Sequence, residues 1–327
     1  MGDGARRFDA SATPPHPNPP PQGGREPVCT RARAKLSFGP FLLLAVLEGA
    51  VMAAVLALTA VGLSLVFGVM RVVNVAHGEF YMLGAVLAWF VTYYLPFPPA
   101  LAWLAALIIA PLIVAAIAAL TDTLVLKRLN YDPEATIVAT IGLLYMLQQT
   151  ALTFYGPDAR PVVAPFEWRI QLPWFGYSGY KLFVVLAAVV ILAAVWLFMT
   201  RSKAGLVMRA TQVDRDTAQA FGINVDRVYA GTFALGGALA AAAAVLIVPI
   251  QQAHYLMGHD PLLLSFIVVI IGGLGSIRGT LVAALVIGLS DGVISMFFSP
   301  TLAKIIATLL VALVLVFRPQ GLFGAKA

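Results

Sequence analysis

Along the chain, apolar residues come in long unbroken blocks rather than as a helical stripe or an alternating strand pattern. Nine blocks stand out, at about residues 41–69, 79–95, 100–126, 136–155, 181–199, 228–250, 262–272, 280–297 and 301–317. Most approach the roughly 20 residues that carry a helix across about 30 Å of hydrocarbon. They are rich in Leu, Ala, Val and Ile without a period of two, so they predict spanning helices rather than barrel strands. The block at 262–272 is too short to span and runs through "GGLGSIRG", residues 272–279, into the next. That pair predicts one broken helix, a re-entrant segment, or two tilted spans. The expected fold class is all-α, a polytopic integral membrane protein with about eight or nine transmembrane or re-entrant helices.

Composition agrees with the pattern. Of 327 residues, 61% are hydrophobic and 11% charged, and the mean hydropathy of +0.91 lies far outside the balance of a soluble domain. The net charge of +6 is spread over the connections between blocks instead of lining one soluble face, which argues against nucleic acid as a partner and for membrane lipid. A single cysteine, Cys29, rules out an intrachain disulfide or a Cys-x-x-Cys pair. Residues 1–38 form a separate Pro-rich region, "ATPPHPNPPPQGGREP" at its centre, with no apolar signal-peptide core. It is expected to be disordered, and one hypothesis is that it is translated upstream DNA rather than native chain. Residues 39–324 then form the membrane domain.

If all nine blocks cross, alternate connections share a side. One set holds Arg71, Lys127, Arg128, Arg201, Lys203, Arg209, Arg215, Arg227, Arg278, Arg318 and Lys326, and the other, leaving out the tail, only Arg160, Arg169, Lys181 and Lys304. This 11-to-4 asymmetry makes the first set cytoplasmic by the positive-inside rule, with the C-terminus inside. Two connections are long. Residues 156–180 carry Trp168, Trp174, Tyr177 and Tyr180, which suit either an interfacial belt and lid or a docking surface. Residues 201–227 are the most charged part of the membrane region: Asp214, Arg215 and Asp216 begin a short polar helix that ends at Gly222, with Ala218 and Phe221 on it and Ile223 just beyond. This helix is either a solvated connector or a segment that docks in a groove of another protein.

The candidate chemistry is sparse. There is no G-x-x-x-x-G-K-[ST] phosphate loop, "GGLGSIRG" has the wrong spacing for a dinucleotide fingerprint, and there is no His-x-x-x-His or His-Glu-x-x-His pair for a metal. Neither a cofactor nor a catalytic group is expected. The polar residues inside apolar surroundings are more telling. In "RVVNVAHGEFYMLGA", residues 71–85, a charge facing lipid would cost about 2.5–3.5 kcal/mol, so His77 and Glu79 must face protein, a watery cavity or the interface. One reading makes Asn74 the N-cap of a helix starting at the cytoplasmic boundary, with Glu79 in the positive end of its dipole, Gly78 allowing a close neighbour and Arg71 as a basic anchor. The other makes Asn74, His77, Gly78 and Glu79 part of a broken helix lining a translocation path. The second island, with Gly272, Gly273, Gly275 and Ser276, poses the same choice. Its glycines permit close helix packing, while Arg278 is either an anchor or a gate. Glu48 and Asp291 are expected to pair with neighbours or face an interior seam.

Four stretches fall in one order: "NVAHGEFYMLGA", "RATQVDRDTAQAFGINVDRV", "GGLGSIRGTLVAALVIGL" and "FRPQGLFG". Together they resemble the LivH-type permease of branched-chain amino acid ABC importers, over about residues 41–324. The resemblance implies a bacterial inner-membrane permease subunit paired with an M-type permease in a heterodimer, two cytoplasmic ABC ATPase subunits, and a periplasmic amino-acid-binding protein. It also implies that the loop with Arg209, Asp214, Ala218, Gly222 and Ile223 docks in the ATPase cleft and couples nucleotide-driven closure to the path. Such permeases commonly have proline where this chain has Arg278. Relatives of the family carry urea and short amides too. The rival from another class is a stand-alone secondary carrier or channel using Glu48, Glu79 or Asp291. A membrane enzyme built on His77 and Glu79 is disfavoured, since residues two apart on a helix do not face each other.

Overall fold

A bilayer core leaves the backbone no partner but itself, so apolar runs without breakers become helices, and their ends fall where a side chain or a bend takes over the hydrogen bonding. The computed structural model describes residues 38–318 and 320–323, and among these it contains eleven α-helices and one two-stranded hairpin. They are α1 (Phe38–Met70), α2 (His77–Tyr94), α3 (Pro99–Thr121), α4 (Pro133–Tyr155), β1 (Arg169–Gln171), β2 (Gly176–Ser178), α5 (Gly179–Arg201), α6 (Lys203–Val213), α7 (Arg215–Ala220), α8 (Val225–Gln251), α9 (His259–Gly272), α10 (Ile277–Phe297) and α11 (Pro300–Phe317). The Pro-rich region, Cys29 and Lys326 lie outside the described residues, except that Phe38, at the boundary drawn for that region, already opens α1.

Helix starts repeat one device. Asp132, Asn224, Ser276 and Ser299 each accept a backbone N–H from the first turn of α4, α8, α10 and α11, and Pro133 and Pro300 occupy first-turn sites whose N–H would be unpaired anyway. Helix α3 continues through a π-helical turn, Asp122–Leu126, and a 3-10 turn, Lys127–Leu129. Asn130 and Tyr131, both at positive φ, then reverse the chain.

Seven of the described helices are long and apolar enough to cross a membrane: α1, α3 with its extension, α4, α5, α8, α10 and α11. The eight or nine segments legible in the sequence are all helical, but α2 and α9 are not among the seven, and α9, at 14 residues or about 21 Å, is short of a span. It also does not run on into α10. The chain reverses through Gly273 (φ 101°) and Gly275 (φ 80°), so the broken-helix reading gives way to a helical hairpin. Gly272 and Gly279 touch backbone to backbone across it, leaving no room for a Cβ on either.

The centre of the bundle is α1 and α8. Residues 240–244 of α8 are all alanine and buried, and α2, α3 and α1 close around that slender helix. Small residues suit this place because lipid tails give apolar helices no hydrophobic reason to associate, so close van der Waals contact must do so. Helices α4 and α11 lie outermost and keep large apolar side chains such as Tyr145, Phe154 and Leu309 exposed.

The basic connections gather at one end of the bundle. There Lys127 pairs with Asp226 at 2.8 Å, Arg215 lies over the rings of Tyr131 and Tyr229, and the end of α1 meets α6. At the opposite end Arg160 exchanges two backbone hydrogen bonds of 2.9 Å with Ala253 and stacks on Trp89 and Tyr155. The hairpin β1–β2 sits beside it. Trp168 and Trp174 are exposed there, but Tyr177 and Tyr180 are buried, the Tyr180 hydroxyl donating to Leu246 O at 2.7 Å. Those two tyrosines belong to the packing and not to an outer belt.

Candidate functional site

Helix α1 ends at Met70 because Arg71 turns left-handed (φ 59°). The next five residues then run back alongside α1 instead of leaving the bundle, with Val72 and Asn74 buried. His77 shows how far they return. Its Nε2 donates to Thr59 O at 3.0 Å, and Thr59 lies eleven residues, about 16 Å, before the end of α1. Helix α2 therefore starts deep in the bundle rather than at its boundary, a correction to the boundary reading. Asn74 is also not the N-cap. The helix begins after Ala76 with no side-chain cap, and Asn74 Oδ1 instead accepts Ala76 N–H at 3.0 Å, making an Asx turn that bends the chain into α2.

A second chain reversal meets this start. After α8, residues 252–258 fold back from the opposite end and deliver the N-terminus of α9 against that of α2. Gly78 and Gly258 face each other, and a Cβ on Gly78 would lie 2.5 Å from Gly258 O. The buried Glu79 faces His259, Oε1 to Nε2 at 3.9 Å, beyond hydrogen-bond range, while Gln148 donates to the same ring nitrogen at 2.9 Å. Glu79 Oε2, His77 Nδ1 and Asn74 Nδ2 are buried without a protein partner. Two helix N-termini with buried polar atoms thus converge inside the bundle, their backbones in direct contact.

The other candidates sit at the far end of α9. Gly272, Gly273, Gly275 and Ser276 form the tight turn into α10. Ser276 caps α10, Gly275 rests against Gly68 of α1, and Gln212 of α6 donates to Gly275 O at 3.1 Å. The eight residues therefore fall into two groups joined by α9. Nothing in the sequence singled out Thr59, Gly258, His259, Gly68 or Gln212, because each acts through a contact with residues tens of positions away.

Three cavities line this framework. One of about 380 Å³ runs along α1 from Met52 to Thr59, with walls from Tyr81, His254, Asp260, Leu264, Asp291 and Lys304. A second, about 240 Å³ and apolar, lies on α1 at Leu63 and Phe67 and on α9 at Phe266 and Ile270. It shares walls with a third of about 800 Å³ bordered by Arg71, Gln212, Gly275 and Ser276. Between the first two, a packed cluster containing Ala60, Leu264, Ile267 and Val268 closes the α1–α9 seam over about one helical turn. None of the three cavities is lined by Asn74, His77, Gly78 or Glu79.

The charged loop is well formed. Ser202 accepts Gly205 N–H to start α6. Asp214 ends α6 and starts α7, accepting the N–H of Asp216 and Thr217 at 2.9 and 3.0 Å and the Thr217 hydroxyl at 2.6 Å. Those donors hold its carboxyl below the usual carboxylate range. Ala218 is buried, and its carbonyl receives Ile223 N–H as Gly222 (φ 83°) closes the helix. Arg209 bonds back to Gly205 O and Thr200 O. Val213 and Phe221 are 85% and 83% exposed, two large apolar side chains on a protruding corner. Elsewhere Glu48 finds a neighbour, Lys181 at 2.6 Å, while Asp291 has no ion-pair or hydrogen-bond partner among the described residues.

Seven helices long and apolar enough to cross a membrane, with chain reversals inside the bundle and a capped helical corner at one end, define a multi-pass membrane protein. The chain belongs to the family described as the permease component of branched-chain amino acid transport systems, whose profile matches residues 45–315. It is 30% identical to the high-affinity branched-chain amino acid transport system permease protein LivH of Salmonella typhimurium over 85% of this chain and 94% of that one. It is 26% identical to the corresponding protein BraD of Pseudomonas aeruginosa, over 82% and 91%. A shorter match, 26% over 58% of this chain and 61% of the other, links it to the ribose import permease protein RbsC of Haemophilus influenzae. No solved structure matches the chain.

Proposed function

We propose that the chain imports branched-chain or related hydrophobic amino acids as one permease half of an ABC transporter in a bacterial inner membrane. Its basic end and C-terminus face the cytoplasm, and an M-type permease completes the path. Two ATPase subunits grip the α6–α7 corner, and a periplasmic amino-acid-binding protein delivers substrate to the end bearing Arg160 and the β1–β2 hairpin. The substrate class follows the names of the relatives matched over most of their length, and the partial match to a ribose permease marks the scaffold as one shared with carriers of other solutes.

The observation that carries the reading is the mechanical line from the corner to the seam. Asp214 joins α6 to α7, Gln212 two residues earlier holds Gly275 O, and Gly275 lies at the turn that ends α9. A push on α7 therefore reaches α9, which forms one side of the closed seam and pivots on α2 at the backbone contact of Gly78 and Gly258.

The test is uptake of radiolabelled leucine by proteoliposomes holding the complete transporter with ATP inside. Uptake that stops with vanadate or without the ATPase subunits, and survives a protonophore, is expected. Uptake that ignores ATP and collapses with the protonophore would make the chain a secondary carrier.

A further inference from the structure

The 380 Å³ cavity has a composition that bulk passage of solute does not require. Its volume falls in the range of about 300–1,000 Å³ typical of small-ligand sites. Val55 and Leu56 of α1 and Leu264 of α9 give it an aliphatic wall, while Asp260, Asp291 and Lys304 give it charges of both signs. Asp291 lies six residues before the end of α10, about 9 Å, and Lys304 four residues into α11, about 6 Å, so both face the cavity from just inside the bundle. Carboxylates at that depth are costly unless paired or solvated. Lys304 is paired, with Asp260 at 2.7 Å, but Asp291 is half-buried with no ion-pair or hydrogen-bond partner among the described residues.

A free carboxylate, an ammonium held by an exposed and therefore weak pair, and an aliphatic wall between them complement an amphiphilic zwitterion. A sugar, with hydroxyls around its ring, would leave the aliphatic wall unmatched, and an inorganic cation would have no use for the lysine or the wall. We propose that this cavity is a transit site for an aliphatic α-amino acid. Asp291 receives the α-ammonium, Lys304 exchanges Asp260 for the α-carboxylate, and Val55, Leu56 and Leu264 contact the side chain. The proposal rests on the import reading above and adds a recognition step within the permease itself.

The experiment is equilibrium binding of radiolabelled leucine to the complete transporter in nanodiscs without binding protein, run beside ATP-driven uptake by the same preparation in proteoliposomes. Unlabelled leucine should displace the label at least about tenfold better than isoamylamine, which lacks the carboxylate, or 4-methylvalerate, which lacks the ammonium. Asp291→Asn and Lys304→Met should each weaken binding at least about tenfold. Leu264→Trp, which fills the cavity and leaves its charges, should abolish binding, and Lys304→Met gives the same reading through the other charge should Asp291→Asn not assemble. Active uptake with no leucine binding, equal displacement by either analogue, or unaltered binding in assembled Asp291→Asn and Lys304→Met overturns the site alone. Absence of ATP-driven uptake by the wild-type transporter overturns the import reading and the site with it.

Discussion

Glu79 is the residue whose position asks most of its surroundings. Both its oxygens are in the seam between α2 and α9, one faces His259 at 3.9 Å and the other has no protein partner. A buried carboxylate with few partners carries a desolvation cost that the neutral amide of the same shape largely avoids. Glu79→Gln is therefore expected to insert and to unfold in detergent at an unchanged or higher temperature, while leucine uptake falls. Measuring both on one preparation separates a role in the moving junction from a role in stability, and uptake at the wild-type rate would remove Glu79 from the mechanism. Asp214 is the opposite case, exposed and with its hydrogen-bonding capacity well used. Asp214→Lys takes away the acceptor for two N–H groups and a hydroxyl at the start of α7, so ATP hydrolysis should persist but no longer drive uptake. Because its carboxyl titrates below the ordinary value in the folded chain, the support it gives α7 is present above the ordinary carboxylate pKa and lost only as pH falls through its own lower one. Coupling should then be insensitive to this group from neutral pH down to about 4, and a loss of uptake per ATP at mildly acid pH that Asp214→Asn abolishes would contradict that.

Among the elements, the contact of α2 with α9 is one of the most exacting. At Gly78 and Gly258 backbone meets backbone, so Gly78→Val must push the two helices apart and should abolish both uptake and stable assembly. Gly142, within α4, has nothing near its missing Cβ. Gly142→Ala should be tolerated and gain up to about 1 kcal/mol from helix propensity, so comparing the thermal aggregation of the two variants checks that contact, not glycine itself, sets the demand. This element also marks where the sequence stops being legible. The nine helical blocks, the capped α7 and its end at Gly222 follow from local chemistry, because hydropathy and capping act over a few residues. The place where α2 begins does not. Asn74, His77 and Glu79 would suit a boundary equally well, and what draws them inward is Thr59 O on another helix and the glycine pair, neither of which leaves a mark near residue 74. For the same reason the two polar islands read as one kind of feature, whereas folding gives the first to an internal junction and the second to a turn held by Gln212.

For the molecule as a whole, the proposed mechanism requires the α6–α7 corner and the β1–β2 hairpin to be on opposite sides of the membrane. In the proposed orientation the basic residues gathered around Lys127, Arg215 and Arg227 lie on the cytoplasmic side, since translocating such a cluster is disfavoured. Cys29 is the only cysteine in the chain, so a Cys29→Ser background leaves no native thiol to interfere. In that background Trp174→Cys and Phe221→Cys place single thiols at exposed sites on the hairpin and just after α7. A membrane-impermeant maleimide added to intact spheroplasts should label the cysteine at 174 at once and the one at 221 only after permeabilisation. Adding the ATPase subunits to inside-out vesicles should then protect 221 and leave 174 unaffected. Labelling of 221 from outside would invert the topology and, with it, remove any route by which a cytoplasmic ATPase could move α9.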